Sequence, residues 1–355
     1  YHKRLAFGGA IIAGQEFSPM EVATQEQEAA IRRYEEGEIS LRDLCREIGQ
    51  SSDAMENIRA ALAAGTLQTI FEPQAKTAVS EAFQASSALL DKVCVPMEVP
   101  SFASVYDLRI DSENGLTYLP AGGRASQVVI TAAGEPLRIS RFAASIVIDE
   151  VDLLNGNAEA LVSMPTRILA QRAGAVLMDE LVHALLSNPT MADGTALFHS
   201  DRGNTASATL DEAGLTAARS YLKGQKDGAG NCYDADASIL LTAAALDGTA
   251  RTVLNKIQSF AASDNLELIT TARLDSDTKH PITGDKANGS ATAWFVLPNP
   301  KELAAFKLLF RRGTNRGLTS TVTNLGQGRR GLAVDVCLDA AVVCTNPQAI
   351  YRGHA

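Results

Sequence analysis

One stretch constrains this chain more than any other: residues 163–188, SMPTRILAQRAGAVLMDELVHALLSN. Pro165 suits the first turn of a helix, where its missing N–H has no partner to lose, and Ser163 or Met164 can sit at the cap. No second proline or β-branched run follows until Asn188-Pro189, which is a stop. About 24 helical residues span roughly 36 Å, about twice the usual helix length. Read in sevens, Leu161, Met164, Ile168, Gln171, Ala175, Met178, Val182 and Leu185 form one stripe in which only Gln171 is polar. Leu169, Ala173, Val176, Leu177 and Leu181 widen the apolar surface. A helix this long with so few charges is expected to lie across a sheet, covered on more than one side, in an α+β protein.

With 355 residues the chain has room for one large domain or two to three smaller ones. A net charge of −9 argues against a dedicated nucleic-acid binder, which needs a basic stripe. It is compatible with a protein that encloses nucleic acid without gripping it. Five cysteines (Cys45, Cys94, Cys232, Cys337, Cys344) form no CxxC pair, and an odd number is poor material for a disulfide framework. They read as small hydrophobes of a reducing compartment. The histidines (His2, His183, His199, His280, His354) are too scattered for spacing to mark a metal site, and no cofactor is implied. No run of 18 apolar residues offers a transmembrane helix. Tyr1-His2-Lys3-Arg4 has neither an initiator methionine nor a full signal pattern, and the small-residue arm FGGAIIAG follows it. The expectation is a start created by cleavage.

Taken in order, Pro19 opens a polar helix closed by Gly37, and Ser40 with Asp43 makes a capping-box start for LRDLCREIG, ending at Gly49. DAMENIRAALAAG is a third helix, ending at Gly65. ISLRDLCREIGQSS has the look of a helix-turn-helix half, but its surroundings are acidic, so a solvated helical arm is the better reading. Another helix is expected from Thr77, running to Pro96. The texture then turns β: residues 105–110 alternate, 116–119 and 127–131 are strand-like, and PAGGRASQ and AAGEP are turns. With LRISRFAASIVID these make a long two-stranded excursion over 105–149, which needs a partner surface. After the long helix come a loop, MADGTALFHSDRGN, then a helix, LDEAGLTAARSYLKGQK, and a buried strand, ASILLTAA. A helix, LDGTARTVLNKIQS, and the strands LELITTARL and TAWFVLPNP follow, with a surface loop between the two strands. Near the end Leu332, Val334, Val336, Leu338, Ala340, Val342 and Cys344 are all apolar while Asp335 and Asp339 occupy odd positions. That is a half-buried strand or a bent pair of strands.

Motifs that would carry chemistry are few. Gly326-Gln327-Gly328-Arg329-Arg330-Gly331 is formally GxGxxG, but a dinucleotide site needs those glycines to open a helix, and here a strand follows. A turn between strands is the better reading. His199-Ser200-Asp201 offers a histidine, a hydroxyl and a carboxylate, yet adjacency in sequence is not triad geometry. A structural turn is expected, with Gly203 or Asn204 left-handed and His199 bonded locally. Asp234 and Asp236 read as turn residues rather than a cation site. No catalytic residue is named.

The serial order of ISLRDLCREIG with AMENIRAAL, EPQAKTAVSEAF, ISRFAASIVIDEVDLLN running into the long helix, ALLSNPTMADGTALFHSDRGN and GLAVDVCLDAAVVCTNPQAIYRG resembles the major capsid proteins of tailed phages. More narrowly it is similar to Mu-like head subunits, including those fused to a ClpP-like prohead protease. The resemblance covers residues about 39–355 and implies the HK97-like fold. It implies an N-terminal helical arm (1–76), a peripheral domain (77–104, 150–204 with the spine helix, and closing strands 306–355), an extended β-loop (105–149) and an axial domain (205–305). It also implies a virion protein, assembled in the host cytoplasm. Its hexamers and pentamers would enclose double-stranded DNA and meet portal, prohead protease and decoration proteins, with no membrane involved. On the β-loop, Arg124, Glu135, Arg138 and Arg141 are the candidates for contact with an adjacent subunit. The competing expectations are an encapsulin-like compartment of the same fold and a hydrolase built on the His199 loop.

Overall fold

Local backbone chemistry sets most element boundaries in the computed structural model. It describes residues 11–12, 15–16, 19–106, 118–119, 121–122, 124, 134–155, 158–226, 230–258, 266–325 and 329–354. A two-residue hairpin, β1 (Ile11–Ile12) with β2 (Gln15–Glu16), precedes helices α1 (Pro19–Glu35), α2 (Leu41–Gly49), α3 (Ala54–Ala63) and α4 (Thr66–Val93). Strands β3 (Cys94–Val99), β4 (Val105–Tyr106), β5 (Pro136–Leu137) and β6 (Ser140–Asp149) lead to α5 (Glu150–Asn155) and the long α6 (Ala158–Ser187). Next come β7 (Thr205–Ser207), α7 (Glu212–Lys223), β8 (Ala237–Ala243), α8 (Asp247–Gln258) and β9 (Glu267–Thr271). A short hairpin, β10 (Thr278–Lys279) with β11 (Lys286–Ala287), is followed by β12 (Trp294–Pro298) and β13 (Phe306–Arg311). The chain closes with β14 (Leu318–Asn324), β15 (Gly331–Cys344) and β16 (Tyr351–His354). The elements fall into two units. The first holds the described residues up to Ala82, with Ala143–Ala170 and Thr319–Cys337; the second holds those of Phe83–Phe142, Gln171–Leu318 and Leu338–Ala355.

In the first unit the predicted capping box is present: the Asp43 amide donates to Ser40 Oγ (3.3 Å), and the Ser40 amide donates to Asp43 Oδ2 (3.2 Å). Gly37 and Gly65 take the left-handed conformation that stops a helix. Gly49 has another role. A Cβ there would fall 2.3 Å from Asn57 Oδ1, so the glycine lets α2 and α3 approach, and Gln50 (φ +51°) is the left-handed cap instead. The helix expected from Thr77 starts eleven residues earlier, at Thr66, and runs through Pro73. An interior proline costs about 3 kcal/mol. Leu67, Ile70 and Phe71 are buried on the same helix at about 1.5–3 kcal/mol each, which outweighs that cost. They share a core with Leu44, Ile58, Ile148, Leu153, Leu332 and Val334.

In the second unit a five-stranded sheet has the order β7-β16-β12-β8-β9. β12 is antiparallel to both neighbours, whereas β7 is parallel to β16 and β9 to β8. All five residues of β12 are buried, as befits a central strand covered by helices. Leu215, Ala218 and Leu222 of α7 and Ala250 and Leu254 of α8 share its core with Leu240 and Val296. Trp294 is enclosed, and its Nε1–H donates to the Ala208 carbonyl (3.1 Å). Gly353 lies beneath it, where a Cβ would meet the indole at 2.0 Å.

A second sheet runs β14-β15-β13-β3, with β6 also pairing to β15. This corrects the reading of 105–149 as one two-stranded excursion. β4 and β5 do pair antiparallel (Val105↔Leu137), but LRISRFAASIVID supplies β6, a strand of the sheet. The reason is burial: Ile148 packs in the first unit's core. Residues 107–117, 120, 123 and 125–133 lie outside the described residues, and the strand-like runs at 116–119 and 127–131 fall mostly there. On β15 the even residues are buried as expected, apart from half-buried Val342. The odd face is not open to solvent, since Asp339 is fully buried.

The spine helix also departs from its heptad reading. α6 begins at Ala158, and Pro165 sits in its interior rather than its first turn. Met164 (65% exposed) and Ile168 (55%) face outward, whereas Met178, Val182 and Leu185 of the stripe are buried as expected; Val162, Thr166, Ala170, Gly174, Leu177, Glu180 and Leu181 are buried as well. That spacing is close to the 3.6-residue helical period, from which a strict 3.5 repeat drifts by about 20° per heptad. Gly174 fixes the choice of face within the second unit, because a Cβ there would fall 2.0 Å from Ser86 Oγ on α4. Asn188 (φ +51°) ends the helix as predicted, accepting from the Phe198 amide (2.6 Å) and donating to its carbonyl (3.0 Å).

Glu180 lies on the buried face of α6, only 6% exposed, and its Oε2 accepts from the Val342 amide (2.7 Å). Burial raises its carboxyl to about 7, with the Val342 amide opposing. The folded state therefore holds the proton more tightly than the unfolded chain. The neutral form's stability is fully present below about pH 4.5 and is lost as pH rises towards 7. Glu180→Gln is expected to leave stability unchanged at pH 4.5 and to raise it by about 2–3 kcal/mol at pH 8. Urea titrations at the two pH values measure the difference.

Candidate functional site

Asp339 is a fully buried carboxylate of the second unit. Its carboxylate is enclosed, and isolated burial of such a charge would cost several kcal/mol. Two arginines offset this. Arg141 donates from Nε to Oδ1 (2.6 Å) and from Nη2 to Oδ2 (2.8 Å), while Arg311 Nε lies 3.2 Å from Oδ2. The Arg141 guanidinium also stacks 5.2 Å above the centroid of the half-exposed Phe102 ring. Gly317 (φ +82°) lets its turn close on this point: its carbonyl accepts from the Asp339 amide (2.8 Å), and a Cβ would fall 2.5 Å from the Asp339 carbonyl oxygen. The sequence signal for this cluster was a lone aspartate inside the apolar run LDAAVV, which alternation alone assigns to solvent.

The four contact candidates therefore differ in how they are engaged. Arg141 is committed to Asp339, and Glu135 accepts a hydrogen bond from the Ala192 amide. Arg124 and Arg138 are exposed.

The loop carrying His199 is a single 3₁₀ turn over Ser200–Arg202. His199 Nδ1 accepts from the Asp201 amide (3.2 Å), and Gly203 is left-handed at φ +67°. Ser200 Oγ donates to Asp201 (3.4 Å), not to the imidazole, so the nucleophile–base pair of a triad is not assembled. Asn204, fully buried, ties the turn down through the His199 amide and the Leu197 and Pro347 carbonyls. Arg202 grips Asp193 (2.6 and 2.7 Å) and the Ala196 carbonyl (3.0 Å). Asp234 (φ +49°) is a turn residue, and Asp236 pairs with Lys223 (2.8 Å). Among the described residues no three His, Cys, Asp or Glu side chains are grouped to hold a metal ion. No helix among them is long and apolar enough to cross a membrane. Cys45, Cys94 and Cys344 are buried, and burial raises the Cys45 thiol to about 11 and the Cys344 thiol to about 12.

Because Arg141 neutralises a buried charge and Arg138 does not, the two should respond differently in the free subunit. Arg141→Ala is expected to destabilise by about 1–3 kcal/mol. Arg138→Ala should change stability by less than about 0.5 kcal/mol. Thermal melts of each variant under dissociating conditions provide the comparison.

A family model described as phage capsid protein matches residues 134–353. No curated protein sequence matches the chain. Among solved structures, a phage-related protein from Bordetella bronchiseptica RB50 aligns with a TM-score of 0.49 at 11% identity, covering 78% of this chain and 95% of that one. The holo-encapsulin complex of Synechococcus elongatus PCC 7942 aligns at 0.45 and 11% identity, covering 76% and 86%. The capsid of Cyanophage P-SCSP1u aligns at 0.43 and 12% identity, covering 75% and 87%. The family match spans more than half of the chain, from the turn before β5 into β16, and so takes in the Asp339 cluster, the His199 turn and the sheet centred on β12: the chain belongs to the phage capsid protein family.

Proposed function

We propose that the chain is the major head subunit of a tailed phage or prophage of the Mu-like kind, with an HK97-like fold. In this reading many copies, as hexamers and pentamers, build an icosahedral shell around double-stranded DNA. The family match over 134–353 carries the proposal. The long α6 and the strand pair β4–β5 support it, as a spine helix and the base of an extended loop are what this reading asks of those stretches. On this reading 1–76 is the N-terminal arm, 77–104, 150–204 and 306–355 form the peripheral domain, 105–149 the extended loop, with its last strand β6 joined to β15, and 205–305 the axial domain, whose sheet β16 enters from the closing stretch. Arg124 and Arg138 are exposed and would meet carboxylates of an adjacent subunit in an otherwise acidic protein. Each such pair is worth only about 0–1 kcal/mol, but a shell repeats it in every subunit. Portal, prohead protease and decoration proteins would be further partners, with the shell assembling in the host cytoplasm. The chain's part in this is structural.

Negative-stain microscopy of expressed protein, alone and with its neighbouring gene products, tests the proposal. Closed shells of uniform size are expected. A chain that stays monomeric at high concentration while hydrolysing ester or peptide substrates would overturn it. The 260/280 nm absorbance ratio of nuclease-treated particles separates a nucleic-acid container, with a high ratio, from a compartment for protein cargo.

A further inference from the structure

We propose that Arg59, Arg329 and Arg330 form a phosphate-oxyanion site within the first unit. In a head shell, the backbone of the enclosed nucleic acid would fill it. The site deepens the capsid reading only in the source of its ligand; the chemistry stands on the residues alone. A pocket of about 270 Å³ is lined by Arg59, Leu62, Asn324, Leu325, Arg329 and Arg330. That is near the lower end of the roughly 300–1,000 Å³ usual for small-molecule sites, which suits a compact group such as phosphate. Three guanidiniums line it. The facing carboxylate is Glu150, gripped by Arg59 at Nε–Oε2 and Nη2–Oε1 distances of 3.0 Å. Bonding to Arg59, and secondarily the charge of Arg330, hold the Glu150 carboxyl below its usual range. Asp53 and Glu56 act on Arg59 along with Glu150, so the charge that attracts an anion rests on Arg329 and Arg330, and Glu150 orients Arg59 beside them.

The backbone carrying the other two arginines is pinned at several points. The Glu150 amide donates to the Arg330 carbonyl (3.3 Å), and the Leu325 amide donates to the Gly331 carbonyl (3.0 Å). Gly331 has φ +139°, and a Cβ there would fall 2.1 Å from the Ile148 carbonyl oxygen. Only glycine lets β15 begin so close to β6, and that approach fixes where Arg329 and Arg330 emerge. Both side chains are exposed, so their planar forks are presented to solvent at a fixed position on the fold. Guanidinium forks match phosphate oxygens in pairs, which a carboxylate-rich surface elsewhere on the chain would repel. A strand, β15, follows Arg330 where a dinucleotide fingerprint requires a helix, and the groups offered to phosphate are arginine side chains.

The test uses free subunits of the full chain and a 20-base-pair duplex of arbitrary sequence, with binding read by fluorescence anisotropy between 50 and 200 mM salt. The wild type is expected to bind with a dissociation constant of about 10⁻⁴–10⁻⁶ M and a negative salt slope. Arg329→Gln with Arg330→Gln should flatten that slope by about 2, while Lys279→Gln, at an exposed position of β10 in the second unit, should leave it unchanged. Inorganic phosphate, titrated by ³¹P NMR, should show saturable binding to the wild type that the double variant loses. Saturation by phosphate without a change in the duplex slope keeps the oxyanion site and assigns it to the free ion. An unchanged duplex slope with no loss of phosphate binding overturns the site. So does a double variant that fails to assemble yet binds duplex and phosphate like the wild type, because the arginines then serve a contact between copies. Microscopy of wild-type particles reports on shell formation separately, so the failure of one reading is not mistaken for the failure of the other.

Discussion

A buried strand must find a partner for every N–H and C=O it carries, and the structure depends on how β15 meets that demand. Its partners come from three stretches, of which only the first is distant in sequence: β6 at Ser140–Asp149, β13 at Phe306–Arg311 and β14 at Leu318–Asn324. The pairing with β13 fixes the register, Phe306 opposite Cys344 and Phe310 opposite Ala340. A slip of one residue would turn Leu338, Ala340 and Cys344 to the other face and Asp339 with them. The Val342 amide is served by a side chain, Glu180. Each of these partners is held in place by something close-packed, and glycine supplies the clearance: Gly317 against Asp339, Gly331 against Ile148 and Gly174 against Ser86.

The two buried acids beside this strand show two different solutions to the same cost. Asp339 stays among guanidiniums, with Arg141 covering both oxygens and Arg311 close to one. Glu180 is met by the Val342 amide, which opposes burial only in part, so burial dominates and its carboxyl rises to about 7. The first arrangement holds its geometry by charge and loses stability when one partner is removed. The second responds to pH within the physiological range, and a neutral side chain there would carry no charge to bury. Both bind elements far apart in sequence, 141 to 339 and 180 to 342, so both act on tertiary structure rather than on a local turn.

How far the sequence revealed this depends on the range of the interaction. The Ser40–Asp43 box, the Asn188 stop and the Gly203 turn involve neighbours within a few residues, and each was legible from residue type and spacing. The prolines misled because their cost is local while the compensation is not. Pro73 stays helical on account of Leu67, Ile70 and Phe71, whose burial requires strands that arrive much later in the chain. β6 reads as part of a ribbon in the sequence, because nothing in LRISRFAASIVID names β15 as its partner. On β15, alternation gave the face of Leu332–Cys344 but misplaced Asp339, since alternation assumes that one side of a sheet is wet. The same limit applied to Arg141: an arginine in a strand looks available, and only the fold shows that its charge is already used.

A net charge of −9 and a cationic pocket are not in conflict, because charge acts over different distances in the two cases. At physiological ionic strength exposed charges are screened beyond about 8 Å, so the acidic surface as a whole repels nucleic acid only weakly at the exposed arginines of this site. Within that site the interaction is short-range, directional and supported by hydrogen bonds. An acidic shell with sparse cationic points would hold its contents at the contacts and leave them loose between. Replacing those points by a continuous basic lining would multiply the phosphate contacts, and affinity grows steeply with their number. For a container that must both retain and release a polyanion, the physical requirement is few contacts of fixed geometry, and the tightly pinned Arg329–Arg330 backbone is suited to that.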